Sequence, residues 1–109
     1  MDSRPLKIDL GSAELTLLLG EGDREDGLEN VDAVLTLADG SRWSATVLSL
    51  AEITALMERW RETGEHLSGR YFVCPDLVIV REPGASNIAE VFSEILRTGG
   101  PEGILLPMD

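Results

Sequence analysis

Val31-Asp32-Ala33-Val34-Leu35-Thr36-Leu37-Ala38-Asp39-Gly40-Ser41-Arg42-Trp43-Ser44-Ala45-Thr46-Val47-Leu48 alternates apolar and polar residues on both sides of an Asp-Gly pair, the pattern of a β-hairpin. Opposed residues of an antiparallel pair share a face, so the side chains themselves test the loop length. A two-residue Asp39-Gly40 loop sets Leu35 against Ser44 and Leu37 against Arg42, mixing apolar with polar. A three-residue Ala38-Asp39-Gly40 loop, closed by Gly40 in the left-handed region, sets Leu35 against Trp43, Ala33 against Ala45 and Val31 against Val47. Only the second register gives one apolar face.

The same test applies upstream. Leu6, Ile8 and Leu10 alternate with Lys7 and Asp9, and Leu15, Leu17 and Leu19 continue in the opposite phase. A two-residue turn at Gly11-Ser12 reunites them by placing Leu6 opposite Leu17 and Ile8 opposite Leu15; the alternative is one long strand with a bulge at Gly11. Between the two hairpins, residues 20–30 hold three glycines and five acids with little to bury, which reads as a solvated acidic loop.

Downstream, Ser49 stands three residues before Glu52 at the head of an apolar run, a capping box. Leu50, Ile53, Leu56, Met57 and Trp60 fall on one helical stripe, expected beneath the first hairpin with Trp43 and Trp60 both in the core, and Gly64 ends the helix. Residues 71–74 and 77–80, joined at Pro75-Asp76, read as a further hairpin with two apolar faces. One face carries Tyr71, Val73, Val78 and Val80, the other Phe72, Cys74, Leu77 and Ile79. Ser86 is placed to cap a second helix with Ile88, Val91, Phe92, Ile95 and Leu96 inward.

The expectation is a single α+β domain over 1–100, ββ-ββ-α-ββ-α. Its antiparallel sheet has about five to six strands with two helices packed on one face. Residues 101–109 form a C-terminal apolar tail that either covers the second sheet face or docks on another chain.

Charge and composition narrow the function. Hydrophobic residues are 43% and charged residues 27% of the 109, ordinary for a folded chain. Twenty acids against nine bases give a formal charge of −11, which repels phosphate backbones and anionic lipid and favours a basic protein surface. No apolar stretch approaches membrane-spanning length, and one cysteine makes no internal disulfide, so the expected setting is cytoplasmic.

The residues that carry chemistry elsewhere are not arranged for it. An EF-hand frame with Gly27 at the sixth position puts Gly22, Arg24 and Ala33 at ligand positions and fails. One histidine, His66, and one cysteine, Cys74, make no structural zinc site. No serine sits in a Gly-x-Ser-x-Gly elbow, and the glycine-rich stretches lack the lysine of a phosphate-binding loop. No catalytic residue, metal site or cofactor is expected.

The leading expectation is a non-catalytic acidic interaction module of the immunity, antitoxin or adaptor kind. It would engage a protein partner through an acidic loop (Glu21, Asp23, Glu25, Asp26, Glu29, Asp32) and an apolar sheet face (Tyr71, Val73, Val78, Val80, with Ile104, Leu105 and Leu106). The alternatives are a self-associating accessory domain that forms a homodimer, or a small enzyme or ligand-binding protein with a pocket between sheet and helices.

Overall fold

The computed structural model describes residues 4–108. It is an α+β fold built on a six-stranded sheet: β1 (Arg4–Asp9), β2 (Ala13–Leu19), β3 (Asn30–Leu37), β4 (Arg42–Ser49), β5 (Leu77–Val80) and β6 (Leu106–Met108). A 3-10 turn spans Glu25–Gly27, α1 runs over Leu50–Thr63, a short segment α2 over Glu65–Gly69, and α3 over Ala85–Arg97.

Both hairpins take the expected register. Leu6 faces Leu17 and Ile8 faces Leu15 around Gly11, whose φ of +90° suits a residue without a Cβ. Val31 faces Val47, Ala33 faces Ala45 and Leu35 faces Trp43, with the Gly40 N–H donating to the Leu37 carbonyl at 2.9 Å to close the three-residue loop. Strands β2 and β3 are also antiparallel, with Leu15 opposite Leu35 and Leu17 opposite Ala33. One apolar face therefore runs across four strands.

That face is covered by α3. Ile88 and Phe92 are fully buried with Leu15, Leu17, Leu19, Leu35 and Val47, while Trp43, Val91, Ile95 and Leu96 pack around them. At about 25 cal/mol per Å², burying a phenylalanine or leucine side chain contributes roughly 1.5–3 kcal/mol, so this layer holds most of the fold's stability. The helix begins two residues earlier than a cap at Ser86 suggests. Gly84 occupies the N-cap position at φ +109°, and no side chain caps the first turn.

Three expectations are corrected. Residues 71–74 do not form a strand. The fourth neighbour of the sheet path, β5, runs parallel to β4, with Val47 beside Val78 and Ser49 beside Val80. A parallel pair needs a crossover rather than a hairpin, and α1 supplies it. The missing strand comes from the tail: β6 pairs antiparallel with β4 at Arg42–Ser44, and Leu105 is buried in the core. Strands β5 and β6 thus share one edge of β4, and the tail belongs to the fold up to Met108.

The third correction concerns α1. Half of the expected capping box forms, the Glu52 N–H donating to Ser49 Oγ at 3.0 Å, and Gly64 takes the left-handed position at the other end. Yet none of its side chains is fully buried, and none joins the core cluster. The core is closed by α3 together with Leu28 and Leu105, and α1 stands outside that cluster.

Candidate functional site

What covers the apolar stripe of α1 is its own return path. Trp60 lies between two rings, stacking on His66 at a centroid distance of 4.1 Å and on Phe72 at 5.6 Å. Tyr71 meets His66 edge-on at 5.2 Å. Trp60 is therefore the centre of an aromatic cluster outside the main core, which corrects the expectation that it packs with Trp43. Each such pair adds roughly 0.5–1.5 kcal/mol beyond its buried area. The His66 Nδ1 is enclosed with no hydrogen-bond partner among the described residues.

The chain reaches that cluster through an unusual backbone. His66, Leu67 and Ser68 have φ of 52°, 52° and 59°, and Gly69 follows at φ +81°, so α2 is in effect a left-handed turn. Each non-glycine residue there costs about 1–2 kcal/mol. The aromatic stacking of His66 and Tyr71 holds it in place.

Beyond the turn, the apolar candidates divide. Tyr71 and Val73 are exposed, Val73 to 73%, together with Leu67 at 66% and Ile79 at 50%. Ile104 and Leu106 are also exposed. Val78, Val80 and Leu105 are not: all three lie in the core. Because 71–74 is not paired with 77–80, side chains assigned to a common face are in fact separated, and Ile79 takes the outward position instead. That residue alternates out of phase with Val78 and Val80 and lies on the opposite sheet face with Leu48, its β4 neighbour, which is itself buried.

Where the chain enters β5, Asp76 gathers three donors. The Ser44 hydroxyl reaches its Oδ2 at 2.9 Å, the Thr46 hydroxyl its Oδ1 at 2.9 Å, and the Cys74 thiol the same oxygen at 3.4 Å. Burial pushes this carboxyl upward, and the donors outweigh it and hold the group below its usual range. The Asp76 carbonyl also accepts from the Thr46 N–H. The arrangement pins the crossover to the sheet and occupies Cys74.

The acidic loop is held as well. Leu28 is buried, and its carbonyl accepts from the Gly84 N–H at 2.9 Å, docking the 3-10 turn against the start of α3. Asp23 accepts from the Gly20 N–H at 2.7 Å, and Glu29 accepts from the Ser49 hydroxyl at 2.8 Å. Asp23 and Glu29 are thus engaged in the fold, whereas Glu21, Glu25, Asp26 and Asp32 point outward; Asp26 pairs with exposed Arg24.

Charge is unevenly distributed along the chain. Residues 42–81 contain five arginines (42, 59, 61, 70, 81) and five carboxylates (52, 58, 62, 65, 76), so the whole formal charge of −11 resides in 1–41 and 82–109. The span from β4 to Arg81 is therefore neutral overall, and the remainder is acidic. Between β1 and α3 lies a surface groove of about 550 Å³ whose charged lining is Asp9, Glu90, Glu94 and Arg97, the last two paired with each other.

No protein-family model matches the chain, and no curated protein or solved structure is significantly similar to it. Among the described residues, no helix is long and apolar enough to cross a membrane.

Proposed function

We propose that this chain is a non-catalytic interaction module that binds a basic protein partner, with the outward carboxylates of the 20–32 loop and the adjoining strand as the electrostatic contact. The observation that carries this reading is the anchoring of that loop. Buried Leu28 and the bonds from Gly20, Ser49 and Gly84 hold Glu21, Glu25, Asp26 and Asp32 on a fixed backbone. A fixed array of like charge loses little entropy on binding and raises the encounter rate with a cationic surface. The exposed apolar groups of the crossover, Tyr71 and Val73 among them, supply a second surface of different character.

The test is capture of the partner from the source cells by tagged wild-type chain and by a Glu25→Lys/Asp26→Lys variant, compared over rising salt. Binding that weakens with salt and drops at least about tenfold in the variant is the expected result. A partner held equally by both chains, or no partner at low and moderate salt, contradicts the proposal.

A further inference from the structure

The two edges of the sheet are finished differently. Strand β1 carries Arg4, Pro5 and Lys7, the kinds of residue that stop an edge from pairing with another chain. Strand β5 reads Leu-Val-Ile-Val, without charge or proline, and among the described residues β4 is its only strand partner. Ile79 is half exposed on the face opposite Val78 and Val80, and Leu106 of β6 is exposed along the same edge of β4.

We infer that the β5 edge pairs antiparallel with the β5 edge of a second copy of this chain, joining the two sheets about a two-fold axis. Two observations select a second copy over another partner. A two-fold centred on Ile79 sets Val78 opposite the partner's Val80 and Ile79 opposite the partner's Ile79, so every side chain keeps its own face, as antiparallel pairing requires. The span 42–81, which holds β4, the crossover and β5, sums to zero charge in a chain of −11, so here two copies meet without opposing their most acidic surfaces. A basic partner, in contrast, finds no local excess of negative charge there to recognise.

This inference does not depend on the acidic-loop reading, and salt separates the two. Screening relieves the repulsion between two acidic chains, so the homodimer tightens as salt rises, whereas a complex with a basic partner weakens. Sedimentation of the full chain over increasing concentration is expected to show the mass climbing from 11.8 kDa toward twice that value, at lower concentration in higher salt. Ile79→Lys and, separately, Val73→Lys substitute exposed positions; the first is expected to weaken the dimer at least about tenfold, with circular dichroism unchanged. Independently of folding stability, Ile79→Cys in a Cys74→Ser chain is expected to oxidise to a covalent dimer faster than a Leu18→Cys control in the same background. A chain that stays monomeric up to about 1 mM, a dimer indifferent to Ile79→Lys, or cross-linking at Ile79→Cys no faster than at Leu18→Cys overturns the proposal.

Discussion

A Cβ on Gly69 would stand 2.1 Å from the carbonyl oxygen of Met57, so the return chain passes α1 at a distance only glycine permits. The three residues before it, His66, Leu67 and Ser68, share its positive φ without sharing its freedom from a Cβ. Strain and close approach together fix how the crossover folds back.

Replacing Leu67 by glycine therefore stabilises the protein, contrary to the usual effect of glycine. Relief of the left-handed penalty, about 1–2 kcal/mol, outweighs the added chain entropy of about 0.5–1 kcal/mol, leaving a net gain of up to about 1.5 kcal/mol. Gly69→Ala should cost about 2 kcal/mol or more. Urea unfolding midpoints of the two variants and of Leu67→Ala, which keeps the strain, check both signs.

Ser49 joins three parts of the fold through one hydroxyl, which accepts from the Glu52 N–H and donates to Glu29. Only half of a capping box forms, because Glu52 turns toward Asn30 at 3.4 Å and the Ser49 N–H donates instead to the Glu29 carbonyl. Ser49→Ala should cost about 1–2 kcal/mol and reduce helical circular dichroism before the sheet melts.

Asp76 makes stability depend on acid. Its folded-state pKa is lowered, because burial raises it less than the Ser44, Thr46 and Cys74 donors depress it. A depressed carboxylate stabilises the folded state fully above its unfolded pKa near about 4 and loses that contribution as pH falls through the folded value. The wild-type chain should thus exceed Asp76→Asn in stability at pH 7 and converge with it at acid pH. A difference that stays constant from pH 7 to pH 2 contradicts this role.

Much of the sheet was legible because alternation fixes register: a one-residue slip at Gly40 would put Leu35 against Ser44, and the sequence tolerates no such mixture. The inward residues of α3, Ile88 and Phe92, were legible for the same reason. What covers α1 was not. Its stripe states that a face must be covered, but Trp60 is covered by His66 and Phe72, close in the chain, and a pattern of spacing does not distinguish them from a sheet. Four apolar residues at 77–80 suit a parallel or an antiparallel neighbour equally, so from spacing alone β5 reads as half of a hairpin and Val78 and Val80 as surface. The left-handed turn left one trace in the sequence, Gly69, and its three non-glycine members left none. Of the acidic loop, the carboxylates were evident and the anchor, Leu28, was a single apolar residue among polar ones.

Phe92 and Trp60 offer a matched comparison of the two apolar clusters. Phe92→Ala removes a fully buried ring from the core and should cost about 3–5 kcal/mol. Trp60→Ala removes a larger but partly exposed ring from the crossover and should cost less than half as much, without lowering the cooperativity of sheet unfolding.

Native-state hydrogen exchange tests most directly whether the crossover is a surface unit carried outside the core. Amides of α1 between residues 54 and 63 are expected to open at free energies well below those of β2, β3 and the 89–97 part of α3, which should exchange only through global unfolding. Protection of α1 equal to that of α3 would place the helix in the core and contradict the division of the molecule into a core sealed on the sheet and a crossover carried outside it.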